Sequence, residues 1–212
     1  EDCVYNHMER PGERRLGSVG KPLPGLQTKI TADGEIRVKS EGNMKGYYKE
    51  PALTAEAFDD EGYLKTGDMG EYDKDGFLFI TGRVKDQFKT DKGKYISPSP
   101  IEIKLMENTD IEQVCVVGMG IPQPIALVNL SESGKLKTEE EIVVSLSATM
   151  AALNPTLEKF KRKKKAVIMK ENWTIENGLL TPSLKIKRNQ VEKGLTSFYP
   201  VWFHKEEKVL WE

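Results

Sequence analysis

Gly82-Arg83-Val84-Lys85-Asp86 divides this 212-residue chain, and Ser99-Pro100-Ile101-Glu102 soon after it opens a different kind of structure. Upstream, short apolar runs alternate with turn residues, which is the mark of strands. Leu26 to Ile30 and Ile36 to Lys39 flank Asp33-Gly34, a hairpin signal; Glu71 to Asp73 and Phe77 to Thr81 flank Lys74-Asp75-Gly76, a second one. Pro51 to Phe58 reads as a short helix, with Pro51 in the first turn where its missing N–H costs nothing. The opening, Glu1 to Leu16, is polar and without period. Downstream, Ser99 is expected to cap a helix, Pro100 to fill its first position and Glu102 to close a capping box. Val114 to Val117 is a continuous apolar strand with Ile125 to Leu130 as partner. Thr138 and Glu141 predict a second capping box. Ile142, Leu146, Met150 and Leu153 share one face of the helix that follows, and Asn154-Pro155 stops it. Ala166 to Met169 reads as a strand and Lys187 to Leu195 as a last helix, with Trp202, Phe203 and Trp211 packing the tail. The fold class is therefore α+β, with residues 1–84 β-rich and residues 85–212 mixed.

Composition excludes several functions. Charge nearly cancels, 32 Lys+Arg against 33 Asp+Glu, so the chain is not a basic nucleic-acid coat. Cys3 and Cys115 do not make a disulfide framework, and with only His7 and His204 they fit no standard zinc spacing. No metal site is expected. The longest mostly apolar stretch, Ile142 to Leu153, is interrupted by Ser145, Ser147 and Thr149 and falls short of the ~20 residues of a membrane span. The first residues lack the apolar core of a signal peptide, and a cytoplasmic location follows.

Two glycine-rich segments fail as phosphate loops. Gly17-Ser18-Val19-Gly20-Lys21 lacks the four-residue spacing of a Walker loop and is followed by Pro22. Gly118-Met119-Gly120-Ile121-Pro122 lacks the third glycine of a dinucleotide fingerprint and leads into a strand. Two histidines also leave no convincing nucleophilic triad.

Four other segments stand in a telling order. Gly34-Glu35-Ile36-Arg37-Val38 precedes Gly46-Tyr47-Tyr48, and Tyr63-Leu64-Lys65-Thr66-Gly67-Asp68 follows. Then come Gly82 to Lys89, continuing through Gly93-Lys94-Tyr95-Ile96 to Glu102, and finally Asn177-Gly178-Leu179-Leu180-Thr181-Pro182-Ser183-Leu184-Lys185-Ile186-Lys187-Arg188. In this order they resemble the AMP-forming adenylate-forming superfamily: acyl-CoA synthetases, firefly luciferase and peptide-synthetase adenylation domains. The last segment is most similar to the long-chain fatty acyl-CoA synthetases.

The resemblance implies that residues 1–84 are the β-rich end of a large AMP-binding domain and residues 85–212 a mobile C-terminal α+β domain. It also implies substrates for a parent enzyme: fatty acid, ATP with Mg2+, and CoA. The family's phosphate loop and its magnesium-binding Glu segment have no counterpart in the chain, so the 212 residues alone are expected to be inactive.

Residue by residue, the resemblance gives Asp68 to the ribose hydroxyls of the nucleotide, against a turn-capping alternative. Arg83 would meet ribose or phosphate oxygens through its planar fork, Lys85 would be the hinge, and Lys89 would reach the adenylate phosphate. Gly93 would let pantetheine approach, against an ordinary turn glycine. Lys185 would enter the site for adenylation, where many members have Gly in place of Leu184; Lys187 and Arg188 are the alternatives if the register slips.

The run Lys159-Phe160-Lys161-Arg162-Lys163-Lys164-Lys165 reads first as a solvated linker. Peripheral membrane or CoA-phosphate contact is the second reading and nucleic acid the last. Two other functions stay open: a stand-alone, non-catalytic interaction module, and an adenylation domain delivering to a carrier protein.

Overall fold

A computed structural model describes residues 1–2, 6–163 and 165–212; Cys3 and Lys164 lie outside the described residues. The chain forms two compact units, Glu1–Lys85 and Asp86–Glu212.

In the first unit, strands β1 (His7–Met8) and β2 (Lys21–Pro22) pair antiparallel. Strands β3 (Gln27–Ile30), β4 (Glu35–Lys39), β5 (Leu64–Tyr72) and β6 (Leu78–Arg83) form an antiparallel meander, with helix α1 (Pro51–Ala57) between β4 and β5. The β4–β5 connection apart, neighbouring strands are joined by short turns, which keeps sequence neighbours paired in space. Both predicted hairpins are present, at Gly34 and Gly76, each with a positive φ that glycine adopts without strain. The buried apolar cluster is small: Ile36, Val38, Leu64 and Leu78.

The second unit begins with the two-stranded ladder of β7 (Phe88–Lys89) and β8 (Tyr95–Ile96), followed by α2 (Ser99–Leu105), β9 (Ile111–Val117) and β10 (Ile125–Leu130). Helices α3 (Glu132–Lys135) and α4 (Glu139–Leu153) lead to β11 (Lys165–Ile168); helices α5 (Arg188–Leu195) and α6 (Tyr199–His204) lead to β12 (Val209–Trp211). The sheet runs β12-β11-β10-β9, with β10–β11 and β11–β12 parallel and β9–β10 antiparallel.

Both faces of this sheet are covered, which is why its strands read as continuous apolar runs instead of alternating ones. Val114, Val116, Ala126, Val128, Ala166 and Ile168 pack with Ile142, Leu146 and Met150 of α4. The intervening Cys115, Val117, Leu127 and Val167 pack with Val191 of α5 and Tyr199, Trp202 and Phe203 of α6. Thr138 caps α4 as expected: its hydroxyl accepts from Glu141 N at 3.3 Å, and Thr138 N donates to the Glu141 carboxylate at 2.8 Å.

Three expectations are corrected. Glu102 closes no capping box: Pro98 occupies the N-cap of α2, no side chain caps that end, and Ser99 is already helical. The Glu102 carboxylate turns inward instead. The basic run is not simply a solvated linker, because Lys163 is 3% and Lys165 1% exposed. Lys163 Nζ donates to Lys161 O at 2.8 Å, and Lys165 Nζ donates to the carbonyls of Lys205 and Glu207. Those two side-chain nitrogens are therefore withdrawn from any surface patch. Finally, the tail is only partly packed down by aromatics. Trp202 and Phe203 are buried, whereas Trp211 ends an edge strand, 37% exposed.

Candidate functional site

In the first unit, the site residues are placed by a bulge. Thr66-Gly67-Asp68 on β5 stands opposite the single residue Ile36, between the pairs Arg37–Lys65 and Glu35–Met69. Gly67, at φ +71°, takes the left-handed conformation that such a bulge needs. Thr66 locks it: its hydroxyl donates to Ile36 O at 2.6 Å and accepts from Asp68 N at 3.1 Å. Asp68 then stands directly across from Arg83 in the β5–β6 ladder, and Arg83 Nε meets Asp68 Oδ1 at 2.7 Å. The two predicted nucleotide ligands are thus brought together. Both border a cavity of about 440 Å3 whose walls include Thr66, Ile36, Val38 and His7. Partial burial raises the Asp68 pKa; Arg83 opposes that rise and the nearby Asp2 adds to it. A part-buried carboxylate beside a guanidinium fork presents both an acceptor and donors, the complement of a ribose with its phosphate.

Lys85 is exposed in a single 3-10 turn, Val84–Asp86, where one compact unit ends and the other begins.

The two remaining predicted loops share one geometry. In the first, Thr90 N donates to Lys94 O at 2.9 Å, Gly93 N to Thr90 O at 3.0 Å, and Lys94 N to Thr90 Oγ1 at 3.1 Å. In the second, Thr181 N donates to Lys185 O at 2.8 Å, Leu184 N to Thr181 O at 2.9 Å, and Lys185 N to Thr181 Oγ1 at 3.1 Å. Each is a three-residue hairpin loop, with its last loop residue left-handed: Gly93 at φ +76° and Leu184 at φ +60°. A lysine follows in both cases. The resemblance names Lys185 and gives Lys94, at the same place in the other loop, no role; Gly93 announces such a turn in the sequence and Leu184 does not.

Gly93 is accounted for by its φ, since a Cβ there would meet nothing nearer than Lys89 Cε at 3.5 Å. Lys89 pairs with Tyr95 across the ladder, its Nζ 5.5 Å from the Tyr95 ring centre. The exposed Lys185 lines a groove of about 570 Å3 with Asp86, Glu102, Ile103 and Met106. Lys187 is also exposed. Arg188 is held otherwise: it is part-buried in an ion pair with Glu102.

Leu184 makes a test of the loop. A left-handed non-glycine residue costs about 1 kcal/mol or more, and the Leu184 side chain is mostly solvated at 67% exposure. Leu184→Gly is therefore expected to stabilise the second unit by up to about 1 kcal/mol, part of the gain being offset by glycine's freedom in the unfolded chain. A denaturant midpoint that falls instead would contradict the turn geometry.

Among the described residues no three His, Cys, Asp or Glu side chains converge as a metal site. No Mg2+ chemistry is assigned to these residues. Nor is any helix of the described residues long and apolar enough to cross a membrane.

Residues 85–197 match the model of the AMP-binding enzyme C-terminal domain. The chain is 32% identical over 209 residues to long-chain-fatty-acid–CoA ligase FadD15 of Mycobacterium tuberculosis, an alignment covering 91% of this chain and 35% of that one. It is 32% identical over 212 residues to long-chain-fatty-acid–CoA ligase 5 of Mus musculus, covering 86% and 31%. The adenylation domain of a carboxylate reductase from Mycobacterium chelonae has the same fold, with a TM-score of 0.71 at 21% identity over 89% of this chain and 32% of that one. The chain spans about a third of the length of the curated relatives it matches.

Proposed function

The chain belongs to the AMP-binding enzyme C-terminal domain family, and from that premise we propose that it is the C-terminal part of an ATP-dependent fatty acyl-CoA synthetase. The reaction has two steps. The acid's carboxylate attacks the α-phosphorus of ATP, forming acyl-adenylate and releasing pyrophosphate. The thiol of CoA then attacks the acyl carbon, forming the thioester and releasing AMP.

The observation that carries this reading is Lys185. It stands exposed just beyond the left-handed residue of a tightly bonded hairpin, in a chain whose relatives are named long-chain-fatty-acid–CoA ligases. A positioned ammonium stabilises the charge that develops as the carboxylate meets the α-phosphate. Asp68 accepts from the ribose hydroxyls, and Arg83 donates to ribose or phosphate oxygens. Lys89 serves the adenylate phosphate in thioester formation, and Gly93 forms the turn that pantetheine passes. Lys85 serves as hinge, because a short exposed turn changes torsion without disturbing either core.

The family's phosphate loop has no counterpart in the sequence, so the 212-residue chain alone is expected to support no fatty-acid-dependent exchange of pyrophosphate into ATP. The full-length protein containing it should support that exchange. Clear exchange by the 212 residues alone, or none by the full-length protein with fatty acid, ATP and Mg2+, would refute the proposal.

A further inference from the structure

We infer that Arg188 is a positioning residue for Lys185, acting through a part-buried ion pair with Glu102; the inference rests on the role proposed above for Lys185. Arg188 is the first residue of α5, three positions after Lys185. Its Nη2 meets Glu102 Oε1 at 2.6 Å, with the two side chains 13% and 16% exposed. Its Nη1 donates to Val116 O at 2.7 Å and lies 3.1 Å from Cys115 Sγ. Glu102 Oε1 also accepts from Val116 N at 2.7 Å. One guanidinium thus fastens the start of α5 to both α2 and β9.

The Lys185 hairpin grows from that fastening. Lys187 N donates to Leu179 O at 2.8 Å, Leu180 bridges Ile186, and the turn closes between Thr181 and Lys185. Between Arg188 and the turn there is only this short ladder. The exposed side of the hairpin has no comparable anchor: Pro182, Ser183, Leu184 and Lys185 are all exposed. Lys185, Glu102 and Arg188 also line the same groove. An ammonium contributes to a transition state only while held near its productive place, and a displacement of about 1 Å can cost about 10²-fold in rate. A planar fork meeting a carboxylate, a carbonyl and a thiol at fixed angles supplies that hold, and a lysine cannot reproduce it.

Two variants test this. Arg188→Met leaves the part-buried Glu102 charged and without its guanidinium. Glu102→Gln combined with Arg188→Met removes both charges and keeps the acceptor for Val116 N, so it protects against simple unfolding. In the 212-residue chain, the amides of Leu184, Lys185 and Lys187 are expected to exchange with deuterium roughly 10-fold faster or more in the double variant, while the amides of α4 keep their protection. In the full-length protein, the same double variant should lower kcat for adenylation by about 10²-fold, with KM for ATP and thioester formation from supplied acyl-adenylate changed less than about threefold.

Unchanged exchange at 184–187 would overturn the anchoring. Equal loss in both half-reactions would show a general structural role and overturn the positioning. The Lys185 reading fails separately, if Lys185→Ala leaves adenylation intact; the exchange measurement does not depend on that outcome.

Discussion

Replacing Lys185 with alanine in the full-length protein is expected to lower acyl-adenylate formation by about 10²–10³-fold, the usual loss of one preorganised donor at a developing charge. Thioester formation from supplied acyl-adenylate should largely survive. The asymmetry follows from where the charge appears. In the first step a carboxylate approaches an anionic phosphate, and negative charge builds at the α-phosphoryl oxygens. In the proposed second step a thiol attacks an acyl carbon, and the Lys89–Gly93 loop is the one proposed to meet that ligand. Single-turnover pyrophosphate release measures the first step, and acyl-CoA formation from the synthetic adenylate the second. Equal loss in both would end the division of labour between the two hairpins. Loss in neither would remove Lys185 from the chemistry altogether.

The second large effect concerns stability and pH. Lys163 is 3% exposed, and burial pushes its pKa down to about 7, with Glu102 opposing that shift. In the unfolded chain the same lysine titrates near its ordinary value of about 10.4. Between roughly pH 7 and pH 10 the unfolded state therefore binds the extra proton and the folded state does not. Stability should rise with pH across that window, by up to about 1.4 kcal/mol per unit. Below about pH 7 both states carry the proton, and the full cost of the buried charge remains. Lys163→Met keeps the unbranched apolar stem and removes the charge. It is expected to flatten that slope and to stabilise the second unit by about 3–5 kcal/mol at pH 6, with little change near pH 10. Denaturant titrations of both proteins from pH 6 to pH 10 provide the check. Parallel stability curves would contradict the buried neutral lysine.

Some of this was legible in the residue order, and the reasons are physical. Val114 to Val117 and Ile125 to Leu130 could be read because strands covered on both faces carry unbroken apolar runs. Helix α4 could be read because its capping box is local, Thr138 and Glu141 being three residues apart. The strand through Thr66-Gly67-Asp68 was not legible, because a bulge interrupts the alternation that announces a strand. Glu102 misled for the opposite reason. It sits at the right spacing for a local cap, yet a guanidinium 86 residues away holds it. Nothing local separates those outcomes. Lys163 and Lys165 look solvated because basic runs usually are, whereas backbone carbonyls inside the fold accept from their Nζ atoms.

The candidate site divides in the same way. Asp68 and Arg83 were named separately from motifs, and the β5–β6 register joins them in an ion pair. Lys185 was named from its segment, but the left-handed Leu184 before it was invisible because leucine rarely takes that conformation. In the sequence Arg188, like Lys187, is an alternative to Lys185 if the register slips. The partners of Arg188 suit the positioning task proposed for it.

The most direct measurement is product identity. The full-length protein is incubated with a long-chain fatty acid, ATP, Mg2+ and CoA, and the nucleotide and acyl products are quantified together. The expected result is AMP, pyrophosphate and fatty acyl-CoA in equal amounts, with acyl-adenylate accumulating when CoA is withheld. ADP with inorganic phosphate, or AMP formation with no thioester when CoA is present, would contradict an AMP-forming acid–thiol ligase.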